Sequence, residues 1–149
     1  MFLDLPEDDG EVVKTLSIKT MYADQIRART KGWELRTYAP GVKPNGWLAL
    51  YESSPTQAIQ TICQIGRTFK LHPDEAWNLY CDDFGIDIDA YFLYYRKREF
   101  AYGMEIKQVR NIDPIPLHEL REQNNFAVPQ MCMKLKSIHK RIYNGIHWI

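Results

Sequence analysis

The sequence predicts an α+β domain built on a curved sheet or small mixed β-barrel flanked by helices. Three observations predict it. Strand-like segments dominate and follow one another in sequence, helical spacing is confined to two clusters, and no repeating strand–helix–strand unit appears. The chain has 149 residues, which suits one domain, and 45% of them are apolar, enough for a packed core.

The elements read in order as follows. An acidic lead spans residues 1–11, with Asp4, Glu7, Asp8, Asp9 and Glu11. "VVKTLSIK" (12–19) alternates as a strand. "TMYADQIRART" places Met21, Tyr22 and Ile26 at helical spacing, with Thr20 at the capping position. "WELRTY" (33–38) alternates again: Trp33, Leu35 and Thr37 share one face, Glu34, Arg36 and Tyr38 the other. "PGVKPNG" is a loop of turn residues. "WLALYES" (47–53) is short and almost continuously apolar, a strand buried on both faces, and "SSP" ends it.

"QAIQTICQIGRTFKL" alternates as a strand with a bulge or bend at Gly66. "HPDEAWNLYCDDFG" is a helix with Pro73 in its first turn, acids beside it and Gly85 as a stop. "DIDAYFLYYRKR" is a second short helix with basic residues at its C-terminal end. "EFAYGMEIKQVRNI" is a strand, "DPIPLHELREQ" a turn and short helix, and "AVPQMCMKLKSI" leads into a last strand. The domain proper is expected over 12–137, followed by a basic, aromatic extension over 138–149.

Lys+Arg and Asp+Glu both total 19, so net charge draws the chain neither to nucleic acid nor to membrane. The distribution is uneven: no acid follows Glu122, while Lys134, Lys136, Lys140 and Arg141 do. Cys63, Cys81 and Cys132 are widely spaced and fit no zinc pattern, and the four histidines show no ligand pairing, so neither metal nor cofactor is expected. No apolar run approaches the ~20 residues of a membrane helix, and the acidic start is unlike a signal peptide. A cytoplasmic protein with no membrane partner is the expectation.

With these segments on the page, the chain resembles the ASCH domains of the PUA-like superfamily, especially small stand-alone prokaryotic members. The resemblance rests on "LSIKTMYADQIRARTKGWELR", "ALYESSPTQAI", "DEAWNLYCDDFGIDIDAYFLYY", "AYGMEIKQV" and "AVPQMCMKL", in that order. The family signature, Gly-x-Lys-x-x-Glu-x-Arg, falls on "RTKGWELR": Lys31, Glu34 and Arg36 match, and Arg29 stands at the Gly position. The resemblance implies a PUA-like barrel with a cleft beside this segment and a ligand that is RNA or a nucleotide or nucleoside, in proteins often labelled regulators.

The candidate binding residues are Lys19, Lys31, Trp33, Glu34, Arg36, Ser53 and Ser54. Lys19, Lys31 and Arg36 supply cations for phosphate or a base edge. Glu34 can accept from an exocyclic amine, Trp33 can stack a base, and Ser53 and Ser54 sit where a strand breaks. Some ASCH-like proteins are amidohydrolases acting on acetylated cytidine. In that reading Lys31 matches their Lys, Asp83 is the nearest acid, and Glu34 stands where they carry a Thr nucleophile; a carboxylate does not inherit that role. A binding module is therefore preferred to an enzyme, the alternatives being the amidohydrolase and a protein-interaction module docking through either terminus.

Overall fold

In the computed structural model, residues 13–124, 128, 133–134 and 146–147 are described. The acidic lead, Cys132 and most of the basic extension, including Lys136, Lys140 and Arg141, lie outside these residues. Strands are β1 (Val13–Ile18), β2 (Trp33–Arg36), β3 (Trp47–Glu52), β4 (Ala58–Leu71), β5 (Ala101–Pro116), β6 (Met133–Lys134) and β7 (Ile146–His147). Helices are α1 (Thr20–Arg27), α2 (Pro73–Tyr80), α3 (Ile88–Tyr94) and α4 (Leu117–Asn124), with a 3-10 turn at Cys81–Asp83. This is the mixed α+β architecture with a curled sheet that the pattern predicts.

The sheet order is β2-β5-β4-β3-β1-β6, and β7 pairs with β5. All pairings are antiparallel except β1 with β3, where Val13 lies opposite Trp47 and Ile18 opposite Glu52. β4 and β5 are long enough to bend, and register shifts between Ile59 and Thr61, Gln64 and Ile65, and Ile65 and Thr68 mark where they do. The last shift brackets Gly66, the residue the sequence nominates.

β3 is buried at every residue because both its faces are covered. Trp47, Ala49 and Tyr51 pack with Ile59, Ile112, Leu117 and Leu120 on the α4 side. Leu48 and Leu50 pack with Leu16, Ala23, Ile26, Cys63 and Met104 on the α1 side. A third cluster joins β2 to the helical lobe, with Trp33, Ala76, Phe84, Tyr91 and Tyr95.

The helix signals act largely as the sequence suggests. Pro73 is the first residue of α2, His72 Nδ1 accepts from Asp74 N at 3.1 Å, and Gly85 adopts a φ of +66° past the 3-10 turn. Asp87 caps α3, accepting from Ala90 N at 2.8 Å.

Three local expectations are corrected. Thr20 does not cap α1: Lys19 holds the cap position, and the Thr20 hydroxyl pairs with that of Thr56 at 2.8 Å. α3 stops at Tyr94, so Arg96, Lys97 and Arg98 lie beyond it and not in its last turn. "DPIP" is strand, not turn: two residues of β4 (Ile59 to Thr61) span four of β5 (Ile115 back to Asn111), and the bulge absorbs Pro114.

Candidate functional site

A cavity of about 510 Å³ opens where the ends of β1 and β3 and the start of α1 meet β2 and α3. Ser17, Ile18, Lys19 and Tyr22 line it from β1 and α1, Lys31 to Arg36 from β2 and the turn before it, and Ser53 from the end of β3. Ile86, Ala90, Leu93 and Tyr94 close it from the helical lobe.

The two-residue period of β2 decides what faces this space. Glu34 and Arg36 point the same way, and Arg36 Nη2 meets Glu34 Oε1 at 2.9 Å. Arg36 Nη2 also donates to Ser17 O at 2.7 Å, tying β2 to β1 across the cavity wall. Tyr95 holds the strand from behind, its hydroxyl donating to Arg36 O at 3.0 Å, and burial pushes that phenol far up so that it stays a donor.

The pair is buried but incompletely used. Glu34 Oε2, Arg36 Nε and Ser17 Oγ are shielded from water and have no hydrogen-bond partner among the described residues. A buried polar atom without a partner costs about 1–3 kcal/mol, so three around one cavity indicate groups that a ligand completes.

Lys31 is only 5% exposed. Its Nζ donates to Phe84 O at 2.7 Å and lies 5.3 Å from the Tyr22 ring centroid. Burial lowers its pKa; Glu34 opposes the shift and Arg36 adds to it. The turn that presents it is fixed by Gly32 N donating to Asp83 O at 2.8 Å. Arg29 takes a φ of 62° there, so the left-handed turn survives without glycine, and its guanidinium donates to Ile106 O at 3.2 Å. Such a conformation costs a non-glycine residue about 1–2 kcal/mol.

The structure thus brings Lys19, Lys31, Glu34, Arg36 and Ser53 to one cavity. It does not bring Trp33, Ser54 or Asp83 there. Trp33 is 3% exposed, with its ring 5.0 Å from that of Phe69 and 4.8 Å from that of Tyr80, so no free face is available for stacking a base. Ser54 is an exposed turn residue next to Pro55. Asp83 contributes its carbonyl to Gly32. Among the described residues no group of three or more His, Cys, Asp or Glu side chains could hold a metal, and no helix is long and apolar enough to cross a membrane.

Sequence reasoning missed Ser17, Tyr22, Ile86, Leu93 and Tyr94. Tyr22 carried a signal, its helical spacing, but that spacing reads as core. Leu93 and Tyr94 are 66% and 44% exposed on a short helix, which only the fold places beside β2.

Neither a protein-family model nor a curated protein sequence matches the chain. Solved structures do. The ASCH protein from Zymomonas mobilis is similar with a TM-score of 0.82 and 20% identity over 88% of this chain and 92% of that one. A Ser→Ala mutant of it gives 0.86 and 18% over 93% and 99%. A Tyr→Phe mutant gives 0.85 and 19% over 91% and 99%. The chain therefore has the ASCH fold.

Proposed function

We propose that this ASCH-type module binds one unpaired nucleotide, free or within single-stranded RNA, in a regulatory and non-catalytic role. The observation that carries this reading is the trio of unpartnered buried atoms around the cavity. Glu34 Oε2 accepts from an exocyclic amine, and Arg36 Nε donates to a ring nitrogen or carbonyl beside it. Tyr22, Leu93 and Tyr94 supply apolar walls for the faces of the base. A volume of about 510 Å³ lies within the ~300–1,000 Å³ of small-molecule sites. The polar atoms lie buried in its walls, so a base must leave its duplex to reach them.

The test is binding of labelled single-stranded RNA, with competition by free nucleotides, at two salt concentrations. Glu34→Gln and Arg36→Met each weaken binding at least tenfold, the loss of about 1.4 kcal/mol, while circular dichroism remains native. Wild-type curves from both variants would overturn the assignment.

One observation favours a second reading, hydrolysis of an acetylated nucleoside: a buried Lys31 with a lowered pKa is suited to act as a base. Against it, Glu34 occupies the nucleophile's place and Asp83 lies outside the cavity. Acetate release from acetylated cytidine that disappears in Lys31→Met would establish it.

A further inference from the structure

The cavity is chemically polarised. Its floor carries Glu34, an acceptor with one oxygen unused. Its other end is the start of α1, and there everything favours an anion. Lys19 occupies the cap position with extended dihedrals (φ −71°, ψ 142°) and makes no side-chain capping bond. Lysine has no acceptor with which to cap a helix. Thr20, which has one, is one position late and spends its hydroxyl on Thr56. Tyr22 N and Ala23 N are satisfied by Lys19 O, whereas Thr20 N and Met21 N have no partner among the described residues. Asp24 is the first acid of α1 and is paired with Arg27, so no carboxylate of the helix's first turn competes for this end.

A helix start alone would say little. A second observation marks the same cavity as built for a ligand: the Glu34 side chain is 6% exposed, lines the space and presents Oε2 without a partner. A base amine placed on Glu34 leaves the remainder of a nucleotide to extend toward the opposite end.

We infer that the α1 N-terminus with Lys19 is a phosphate subsite, so that the ligand is a phosphorylated nucleotide unit with its base on Glu34 and its phosphate on the Thr20 and Met21 amides. This rests on the nucleotide reading above and deepens it. Backbone amides at a helix start and a flanking ammonium together make charge-assisted bonds to phosphate oxygens. The Ser53 side chain lines the cavity between β3 and α1 and is placed to add a hydroxyl. The phosphate comes either from the end of a mononucleotide or from an RNA backbone.

The experiment is calorimetric titration of the full chain with cytidine and adenosine, their 5′- and 3′-monophosphates, and the dinucleoside monophosphate that joins them. At least one monophosphate, or the diester, binds on the order of tenfold more tightly than its nucleoside. That ratio falls toward one in Lys19→Met and in high salt, and persists in Lys43→Met, whose lysine lies outside the cavity. Preference for the diester assigns the phosphate to an RNA backbone, and preference for a monoester assigns it to a chain end; both support the subsite. Equal affinity for nucleoside and nucleotide overturns the subsite and leaves the base pocket standing. A ratio unaffected by Lys19→Met and by salt also overturns it. Failure of every nucleoside and nucleotide to bind overturns the subsite together with the nucleotide reading.

Discussion

Two glutamate–arginine pairs near β2 look alike in sequence and behave oppositely. Arg67 and Glu105 lie on β4 and β5, with 66% and 29% of their side chains exposed. Every group that could be used there is used: Arg67 Nη2 reaches Glu105 Oε2 at 2.7 Å, Nε bridges both oxygens at 3.2 Å, and the Arg67 amide adds a fourth bond at 3.1 Å. The guanidinium also covers Trp33, 5.5 Å from its ring centroid. Arg36 and Glu34 are 16% and 6% exposed, yet share one contact and leave Oε2 and Nε unpartnered. The pair that water could have completed is finished by protein, and the pair sealed from water is not. The buried pair's unmet bonding is what separates a site from a clasp.

The comparison is sharpened most by a third pair, buried and complete. Glu52 is fully buried and takes Arg27 bidentately, at 2.9 and 3.2 Å, while Thr61 accepts from the same guanidinium at 2.8 Å. Glu52→Ala leaves Arg27 uncompensated on the inner side of α1 and costs about 3 kcal/mol in urea denaturation. A loss below ~1 kcal/mol would break the distinction between finished and unfinished buried charge.

An intermediate effect comes from Lys31. Its pKa is lowered from 10.5, so between the lowered value and 10.5 the unfolded chain binds more protons than the folded one. Stability contributed by this residue therefore rises with pH through that window, and the cost of burying its charge is fully present below it. Urea denaturation of wild type and Lys31→Met at several alkaline pH values shows the difference moving in favour of wild type as pH climbs. A difference that stays flat would mean that the ammonium is not desolvated.

The smallest effect belongs to the exposed clasp. The Arg67 guanidinium holds the Glu105 carboxyl below its ordinary 4.5, so its contribution is present above 4.5 and disappears as pH falls through the lowered value. Screening by solvent keeps it small: Glu105→Gln changes stability by less than ~1 kcal/mol at neutral pH, less still in high salt, and leaves nucleotide affinity unchanged. A change in affinity would show that the two pairs are coupled through β2 and β5.

What was legible in the sequence follows from the range of each signal. Alternation is local, so Glu34 and Arg36 could be assigned to one face, and continuous apolarity marked β3 as buried on both sides. Cap chemistry is local too, and Pro73, Asp87 and Gly85 announced their roles. Trp33 shows the limit: period placed it on the face away from Glu34, but only Phe69 and Tyr80, from β4 and α2, reveal that this face is filled. The far wall of the cavity was not legible either. Leu93 and Tyr94 reach it through the docking of the helical lobe on β2, a contact between segments more than 50 residues apart that no spacing rule encodes. Pro114 and Pro116 misled because proline argues against a strand except at a bulge, and the bulge is a property of the β4–β5 register.

The turn before β2 has a consequence for anyone wishing to move this site to another protein. Gly32 N is tied to Asp83 O, Lys31 Nζ to Phe84 O, and Gly85 approaches so closely that an added Cβ would sit 2.4 Å from Gln25 Oε1 and 3.2 Å from Lys31 Cβ. The signature stretch is therefore half of a two-piece part. Transplanted alone it would arrive with its lysine unanchored; the portable unit is residues 29–36 together with 81–86.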